Sequence, residues 1–185
     1  MNFASDNVYG VHPAILASMA AANEGTASSY SYDDLSMQAE AALSDVFETR
    51  VHAFLVTTGT AANGLALSAL TPSFGSVICH SEAHIAVDEC NSPEMFTGGA
   101  KIIGLHGTGG KITPAAIEKT LRGFIRGEHD PKPACVALTN STELGTIYSP
   151  VEIKSIAELV KPRGIKMFMD GARFGNAVIG SGASP

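Results

Sequence analysis

The sequence predicts an α/β fold in which helices flank a mostly parallel sheet. Beyond residue 50, short apolar runs rich in β-branched and aromatic residues alternate with longer segments of helical periodicity, which is the pattern of a parallel α/β sheet. The 185 residues are 45% hydrophobic and 16% charged, so the chain can bury a substantial core as one domain or most of one. The predicted strands cover residues 52–57, 76–80, 101–105, 134–139 and 166–169.

The predicted helices lie between these strands, after an N-terminal helical segment in residues 1–50. In that segment a helix begins at an acidic N-cap, either Asp33 or Asp34, and carries its apolar residues on one face. Two later helices open with Thr-Pro or Ser-Pro, a cap followed by proline at the first helical position. The predicted helices run from 33 or 34 to 47, from 60 to 70, from 113 to 126 and from 150 to 160.

Charge and composition argue against a nucleic-acid or membrane partner. The formal charge is -6 and the Lys and Arg residues are not clustered, whereas nucleic-acid binding depends on clustered cations. No apolar run approaches the roughly 20 residues that cross a bilayer, and no signal-peptide pattern opens the chain. The three cysteines lie far apart and form no metal or redox motif. We therefore expect a cytoplasmic protein with reduced thiols and a small-molecule ligand.

A candidate anion site lies where the predicted strand 52–57 passes into the next helix. Gly59 and Thr60 occupy this turn, where free backbone N–H groups and the helix dipole favour an anion. Gly59 permits close backbone approach, and the Thr60 hydroxyl can donate a further hydrogen bond. The turn therefore suits a phosphate group. An ordinary glycine turn with a threonine helix cap is the alternative interpretation.

A second candidate group closes the last predicted strand. Asp170 follows the apolar run 166–169, and Arg173 comes three residues later. Ligands of open α/β sheets bind at the carboxyl ends of the strands, where Asp170 falls. An aspartate there can hold a heterocyclic nitrogen protonated, and an arginine can bind a carboxylate through two hydrogen bonds. A structural Asp–Arg pair or a helix cap is the alternative.

His84 follows the strand 76–80 and so lies at a second strand end. Its flat imidazole can stack on a ring or move a proton, and a structural, hydrogen-bonded histidine is the alternative. Glu82, Asp88 and Glu89 lie nearby in the sequence. Their spacing with His84 lacks a third convergent ligand, so we predict no metal site.

Six segments carry a common pattern along nearly the whole chain. They are FASDN at 3–7, Tyr30 with Asp33, TGTAANGLAL at 58–67, AHIAVDE at 83–89, ALTNSTELGTIYSP at 137–150 and MDGARFGNA at 169–177. In this order they resemble the low-specificity L-threonine aldolases. The resemblance implies an aspartate-aminotransferase-like fold, pyridoxal-phosphate fold type I, with a smaller C-terminal domain. Residues 1–185 would then be the N-terminal part of the large domain, incomplete at its C-terminus and without the small domain.

The resemblance assigns pyridoxal 5'-phosphate as the cofactor. Gly59, Thr60 and Ala61 would bind its phosphate. His84 would stack on its pyridine ring, and Asp170 would pair with the ring nitrogen. A carboxylate in that place raises the pKa of the nitrogen and keeps it protonated, as an electron sink requires.

An amino-acid substrate is also implied by the resemblance. Arg173 and Ser5 would face its carboxylate or the phenolic oxygen of the cofactor. Tyr30 and Glu89 would line the substrate site. Because the family's active sites lie between subunits, we expect a homo-oligomer, built as a dimer of dimers.

The implied reaction is cleavage of threonine to glycine and acetaldehyde, with His84, Asp170 and Arg173 as the catalytic residues. A base removes the hydroxyl proton as the Cα–Cβ bond breaks. His84, alone or through water, and Glu89 are the candidates for that base. Other reactions on the same scaffold, β-elimination or transamination, are alternatives, as is a non-catalytic binding fragment.

Among the departures from the family pattern, two bear directly on catalysis. Thr142 stands where some relatives carry a histidine, so a base role for that histidine cannot be carried over. The family's Schiff-base lysine lies in a Thr-Lys element after the DGAR strand. No lysine follows Lys166 in this chain, so the resemblance assigns no residue here to that role.

Overall fold

The computed structural model describes residues 8–185 and divides the chain into two units, with the boundary between Ala53 and Phe54. The first unit contains the helices α1 (Pro13–Ala22) and α2 (Asp34–Val46). The second unit contains the sheet and all the later helices.

Asp33 is the residue that starts α2. Its carboxylate accepts hydrogen bonds from the backbone N–H of Ser36 at 2.8 Å and from the Ser36 hydroxyl at 2.7 Å. These bonds favour the ionised carboxylate and lower the pKa of Asp33. Of the two acidic residues that the sequence offers as the N-cap, the structure therefore selects Asp33.

Four parallel strands form the sheet of the second unit. They are β1 (Gly75–His80), β2 (Lys101–Leu105), β3 (Lys132–Thr139) and β4 (Lys166–Asp170), in the order β2-β1-β3-β4. Every residue of β1 is buried, as are the last six of β3, which makes these the two central strands. The predicted α/β fold with a mostly parallel sheet is confirmed.

The predicted strand at 52–57 is wrong. Residues 52–56 adopt no regular secondary structure, and the side chains of Phe54 and Leu55 are 86% and 79% exposed. An apolar run becomes a strand only where a neighbour supplies the backbone hydrogen bonds of a ladder. In the sheet of residues 54–185, β2 and β4 form the edges, and neither pairs with this run.

The helices of the second unit pack on both faces of the sheet. They are α3 (Gly59–Leu70), α4 (His84–Val87), α5 (Ser92–Thr97), α6 (Pro114–Leu121), α7 (Pro150–Val160) and α8 (Phe174–Ser181). The sequence did not predict α4, α5 and α8, which span four to eight residues and are too short for a clear period. No helix among residues 8–185 is long and apolar enough to cross a membrane.

Helix α6 ends at Leu121, five residues before its predicted end. The N–H of Gly123 bonds to the carbonyl oxygen of Thr120, which closes the last turn. A glycine in a helix loses more backbone conformational entropy than any other residue, which disfavours extending the helix through Gly123.

Alternate residues of the central strands supply two separate cores. One side of the sheet carries Ile78, Val136 and Leu138, packed with Ile117 of α6 and Ile156 of α7. The other carries Val77, Cys79, Cys135 and Ala137, packed with Leu67 of α3. Burial raises the pKa of the Cys79 and Cys135 thiols to about 12, so both behave as apolar core groups. All three cysteines are free thiols.

A lysine ties the loop before α6 to the start of α7. Lys111 Nζ donates to Glu152 Oε1 at 2.6 Å and to the carbonyl oxygen of Ile147 at 3.1 Å. It also lies 5.6 Å from the centre of the Tyr148 ring. The Tyr148 hydroxyl accepts the backbone N–H of Ile112 at 2.7 Å, and burial raises the pKa of Tyr148 to about 12. Glu152 also closes a capping box at the start of α7.

The ion pair between Lys111 and Glu152 is expected to stabilise the fold only while Glu152 is ionised. Hydrogen bonding from Lys111 lowers the pKa of Glu152 from 4.5 to about 2. The contribution is therefore fully present above about pH 4.5 and is lost as the pH falls towards about 2. We expect Glu152→Gln to lower the free energy of unfolding by about 1 kcal/mol at neutral pH, because the side chain is 44% exposed and solvent screens the pair.

Urea unfolding at pH 6 and at about pH 3 measures the effect. The difference between wild type and Glu152→Gln should shrink at the lower pH. Glu158→Gln, on the exposed side of the same helix, serves as the matched control. A difference that is the same at both pH values would contradict the assignment of the contribution to ionised Glu152.

Candidate active site

The predicted site residues of the second unit gather at the carboxyl edge of the sheet. His84 follows β1, and Asp170 is the last residue of β4. Glu143 follows β3, between the two strands in the sheet order. Because the strands are parallel, these three strand ends meet along one edge.

Asp170 is held by hydrogen bonds to both carboxylate oxygens. Its Oδ1 accepts the backbone N–H of Ala172 at 3.0 Å. Its Oδ2 accepts Asn63 Nδ2 of α3 at 3.1 Å. Its backbone carbonyl accepts the N–H of Asn140, which continues the pairing of β3 with β4. A carboxylate has about four acceptor sites, so lone pairs remain for a further donor.

The orientation of the His84 imidazole is set by the buried carboxylate of Glu89. Its Nδ1 lies 2.8 Å from Glu89 Oε1, and its backbone N–H donates to Glu143 Oε1 at 3.1 Å. Glu89 Oε1 also accepts Asn63 Nδ2 at 2.6 Å. An ionised carboxylate only accepts, so Glu89 Oε1 pairs with the tautomer of His84 that carries its proton on Nδ1. In that tautomer Nε2 is the ring nitrogen left to face a ligand, on a side chain that is 43% exposed.

The structure places Glu89 behind His84, in a buried position. We predicted that Glu89 lines the substrate site and offered it as a candidate base. Its side chain is 0% exposed and contacts His84 and Asn63. The contact that the structure shows for Glu89 is therefore with His84, and a direct role of Glu89 towards the substrate stays a prediction.

Arg173 interacts with the loop after β3. Its Nε donates to the carbonyl oxygen of Ser141 at 3.2 Å, and its Nη2 lies 3.7 Å from Glu143 Oε1. No ion pair joins Arg173 to Asp170 among residues 8–185, so the structural Asp–Arg pair that the sequence allowed is not formed. An arginine has five N–H donors, and the Arg173 side chain is 37% exposed, which leaves donors for a carboxylate.

The start of α3 lies beside this group. Thr58 is its N-cap: its Oγ1 accepts the N–H of Ala61 at 3.1 Å and its carbonyl accepts the N–H of Ala62. The helix thus begins at Gly59, one residue earlier than predicted, and the cap is Thr58 rather than Thr60. The N–H groups of Gly59 and Thr60 precede the first bonds within the helix and suit an anion.

Asn63 links the start of α3 to Asp170. It lies four residues after Gly59, a rise of about 6 Å along a helix. Asn63 also touches the Asp170 carboxylate, so α3 connects a helix start that suits an anion to a carboxylate that suits a protonated ring nitrogen.

Two predicted site residues, Ser5 and Tyr30, stay predictions, and Thr142 has a structural explanation. Ser5 lies outside the described residues. Tyr30 belongs to the first unit, where it is 90% exposed with a φ of 61°. Thr142, where some relatives carry a histidine, is buried, and its hydroxyl donates to the carbonyl oxygen of Gly109 at 3.1 Å. Thr142 therefore has a structural role in holding the loop after β3.

Sequence reasoning missed Asn63 and Glu143. Asn63 is a polar residue on the buried face of the otherwise small and apolar helix GTAANGLALSAL, and that is a signal that the sequence contains. Glu143 has no comparable signal, because its role depends on contacts with His84 and Arg173, which lie far away in the sequence.

Comparison with known proteins identifies the family. The sequence pattern described as Beta-eliminating lyase matches residues 2–185. The chain belongs to this family. Low specificity L-threonine aldolases from Pseudomonas aeruginosa and Pseudomonas sp. are 44% and 43% identical to it, over 183 and 184 residues. Each alignment covers 99% of this chain and 53% of the relative, so the chain spans about half the length of the curated relatives it matches.

Solved structures agree with this assignment. The threonine aldolase of Leishmania major superposes with a TM-score of 0.86 at 30% identity, over 92% of this chain and 49% of that one. Serine palmitoyltransferase of S. paucimobilis superposes with a TM-score of 0.60 at 22% identity, over 85% and 39% of the two chains. The second likeness shows the fold alone. The predicted fold class and the resemblance to low-specificity L-threonine aldolases are confirmed.

Proposed function

We propose that the protein carrying this chain is a pyridoxal-phosphate-dependent lyase that cleaves L-threonine and L-allo-threonine to glycine and an aldehyde. The observation that carries the proposal is the Asp170 carboxylate, fixed at the end of β4 and hydrogen-bonded to Asn63 of α3, the helix whose first N–H groups suit an anion. The Pseudomonas relatives, named low specificity L-threonine aldolase, support the reaction and the substrate class.

The residues present fit the cofactor at both of its ends. The first N–H groups of α3, at Gly59 and Thr60, can hold a phosphate together with the Thr60 hydroxyl. The free lone pairs of Asp170 can hold the proton at the pyridine nitrogen. When bound, pyridoxal phosphate supplies an electron sink for the negative charge left on Cα as the Cα–Cβ bond breaks.

His84 and Arg173 act on the substrate in this proposal. Arg173 binds the amino-acid carboxylate with the donors that its contacts to Ser141 and Glu143 leave over. His84 Nε2 accepts the proton of the β-hydroxyl group, directly or through water. Glu89 fixes the orientation of the imidazole and stabilises its charged form after the transfer, as a buried carboxylate does for a catalytic histidine.

Product analysis tests the proposal. The protein is incubated with pyridoxal phosphate and L-threonine, and the amounts of glycine and acetaldehyde are measured over time. The two products should form in equal amounts. We expect both products from L-threonine and from L-allo-threonine. Pyruvate from serine, without glycine from threonine, would contradict the aldolase activity and favour β-elimination. Exchange of the amino group onto a 2-oxo acid would favour transamination instead.

We also propose that the protein is cytoplasmic, contributes to glycine biosynthesis and assembles as a homotetramer, a dimer of dimers. Three free thiols support a reducing compartment. Large apolar side chains that are more than 80% exposed, among them Phe54, Ile125 and Ile179, support a surface that a second copy covers. The mass in solution, measured by light scattering, tests the assembly, and a monomer at micromolar concentration would contradict it.

A further inference from the structure

Asn63 bridges the two carboxylates of the candidate site. Its Nδ2 lies 2.6 Å from Glu89 Oε1 and 3.1 Å from Asp170 Oδ2. Asn63 is 5% exposed and Glu89 is 4% exposed, so the Glu89 end of the bridge is buried, whereas Asp170 at the other end is partly exposed. It connects residues that lie 26 and 107 positions away in the sequence.

The chemistry of the amide fixes the direction of both hydrogen bonds. The Asn63 side chain offers one nitrogen with two N–H donors and one oxygen that only accepts. Facing two carboxylates, the oxygen would place like partial charges against each other, whereas the nitrogen gives one N–H to each. Both Glu89 Oε1 and Asp170 Oδ2 are therefore acceptors, and a single nitrogen sets how close the two carboxylates lie.

Each end of the bridge leads to a group with a role in the proposed reaction. On one side, Asn63 and Ala172 together fix both oxygens of Asp170. On the other side, Asn63 and His84 share Glu89 Oε1, while Glu89 Oε2 is buried and has no hydrogen-bond partner among the described residues. Asn63 is thus one of two donors to a carboxylate that is shielded from water.

We infer that Asn63 is a positioning residue that aims Asp170 at the ring nitrogen of the cofactor and Glu89 at His84 Nδ1. It touches neither substrate nor cofactor and acts only through these two carboxylates. The part of the inference that concerns the cofactor rests on the proposed function. The bridge to Glu89 does not, because it is formed by the chain alone.

The first experiment measures the Kd for pyridoxal phosphate by equilibrium dialysis. Asn63→Leu, which keeps the volume but removes both donors, should raise Kd about tenfold, the usual effect of losing a hydrogen bond to a charged group. Asn63→Asp should raise it at least as much, because it adds a third carboxylate. Ser68→Ala, on the same helix and outside the bridge, is the control and should leave Kd unchanged.

A double-mutant cycle separates positioning from a general structural effect. If Asn63 acts through Asp170, Asn63→Leu has little further effect on Kd when Asp170 is already alanine. The absorption spectrum of the bound cofactor should change in the same direction in Asn63→Leu and in Asp170→Ala. An equal rise in Kd in both backgrounds, or wild-type binding by Asn63→Leu, would overturn the inference.

The second experiment uses protein without cofactor. Asn63→Leu should lower Tm by about 4 °C or more, because buried Glu89 loses one of its two donors. Adding Glu89→Leu should recover part of that loss, since the buried acceptor is then gone. Additive losses would overturn the bridge. If the wild type failed to bind pyridoxal phosphate, the proposed function would fail, but this cycle would still decide the role of Asn63 towards Glu89.

Discussion

Asp170→Ala is expected to lower kcat/KM for threonine cleavage by at least about 100-fold, the usual effect of removing a group that stabilises transition-state charge. The reason is its position: Asp170 ends β4 with both oxygens fixed and lone pairs left for a protonated ring nitrogen. Under the proposed function, Asp170 would hold the proton at the ring nitrogen of the cofactor, and without the carboxylate the cofactor would be a weaker electron sink. Steady-state assays of glycine formation, at saturating pyridoxal phosphate, measure the change.

The near-isosteric variant Asp170→Asn separates charge from shape. It should lose nearly as much activity as alanine, because an amide cannot hold the proton at the ring nitrogen. Asp130→Ala removes a carboxylate just before β3, at the amino ends of the strands and so at the end of the sheet away from the candidate site. It is the matched control and should keep its activity. Full activity in Asp170→Asn would rule out the proposed role of Asp170.

The sheet was predictable because its central strands are buried on both faces. Runs such as 76–80 and 134–139 are almost continuously apolar, and that pattern depends only on local sequence. The run 52–57 has the same composition but no partner strand among the described residues, so composition alone predicted a strand that is not formed. Pairing is a property of the tertiary fold, which a local pattern cannot report.

The candidate site was predictable only in part, for a related reason. Strand ends are visible in the sequence, so Asp170 and His84 could be placed at the carboxyl edge before the structure was known. The contact of Glu89 with His84 could not be predicted, because the chain between them is the four-residue helix α4 and Asp88, which is too short to show a period in the sequence.

The contacts of Asn63 could not be predicted either, because they join residues that lie far apart in the sequence. Its helix is visible as an apolar period, and a polar residue on the buried face indicates some partner. Which partner it meets is set by how α3 packs on the sheet, not by the helix itself. Contacts of this kind across 107 residues have no local signature.

His84→Ala is expected to lower kcat by about 100-fold or more, because a positioned base contributes about that much to a proton transfer. It should also lower the free energy of unfolding by about 2 kcal/mol, although the His84 side chain is 43% exposed. The loss of stability comes from Glu89, whose fully buried carboxylate would keep only Asn63 as a donor. Activity assays and urea unfolding without cofactor measure the two effects separately.

The double variant His84→Ala/Glu89→Leu distinguishes these two roles. Removing the buried carboxylate should restore most of the lost stability, because no unpaired acceptor remains, but it should restore no activity. Glu89→Gln alone keeps the shape of the side chain and accepts a weaker hydrogen bond, so it should lower kcat by a smaller factor than His84→Ala. Recovery of activity in the double variant would contradict a base role for His84. Equal stability of His84→Ala and wild type would contradict the pairing of His84 with Glu89, since a buried carboxylate cannot lose one of its two donors without a free-energy cost.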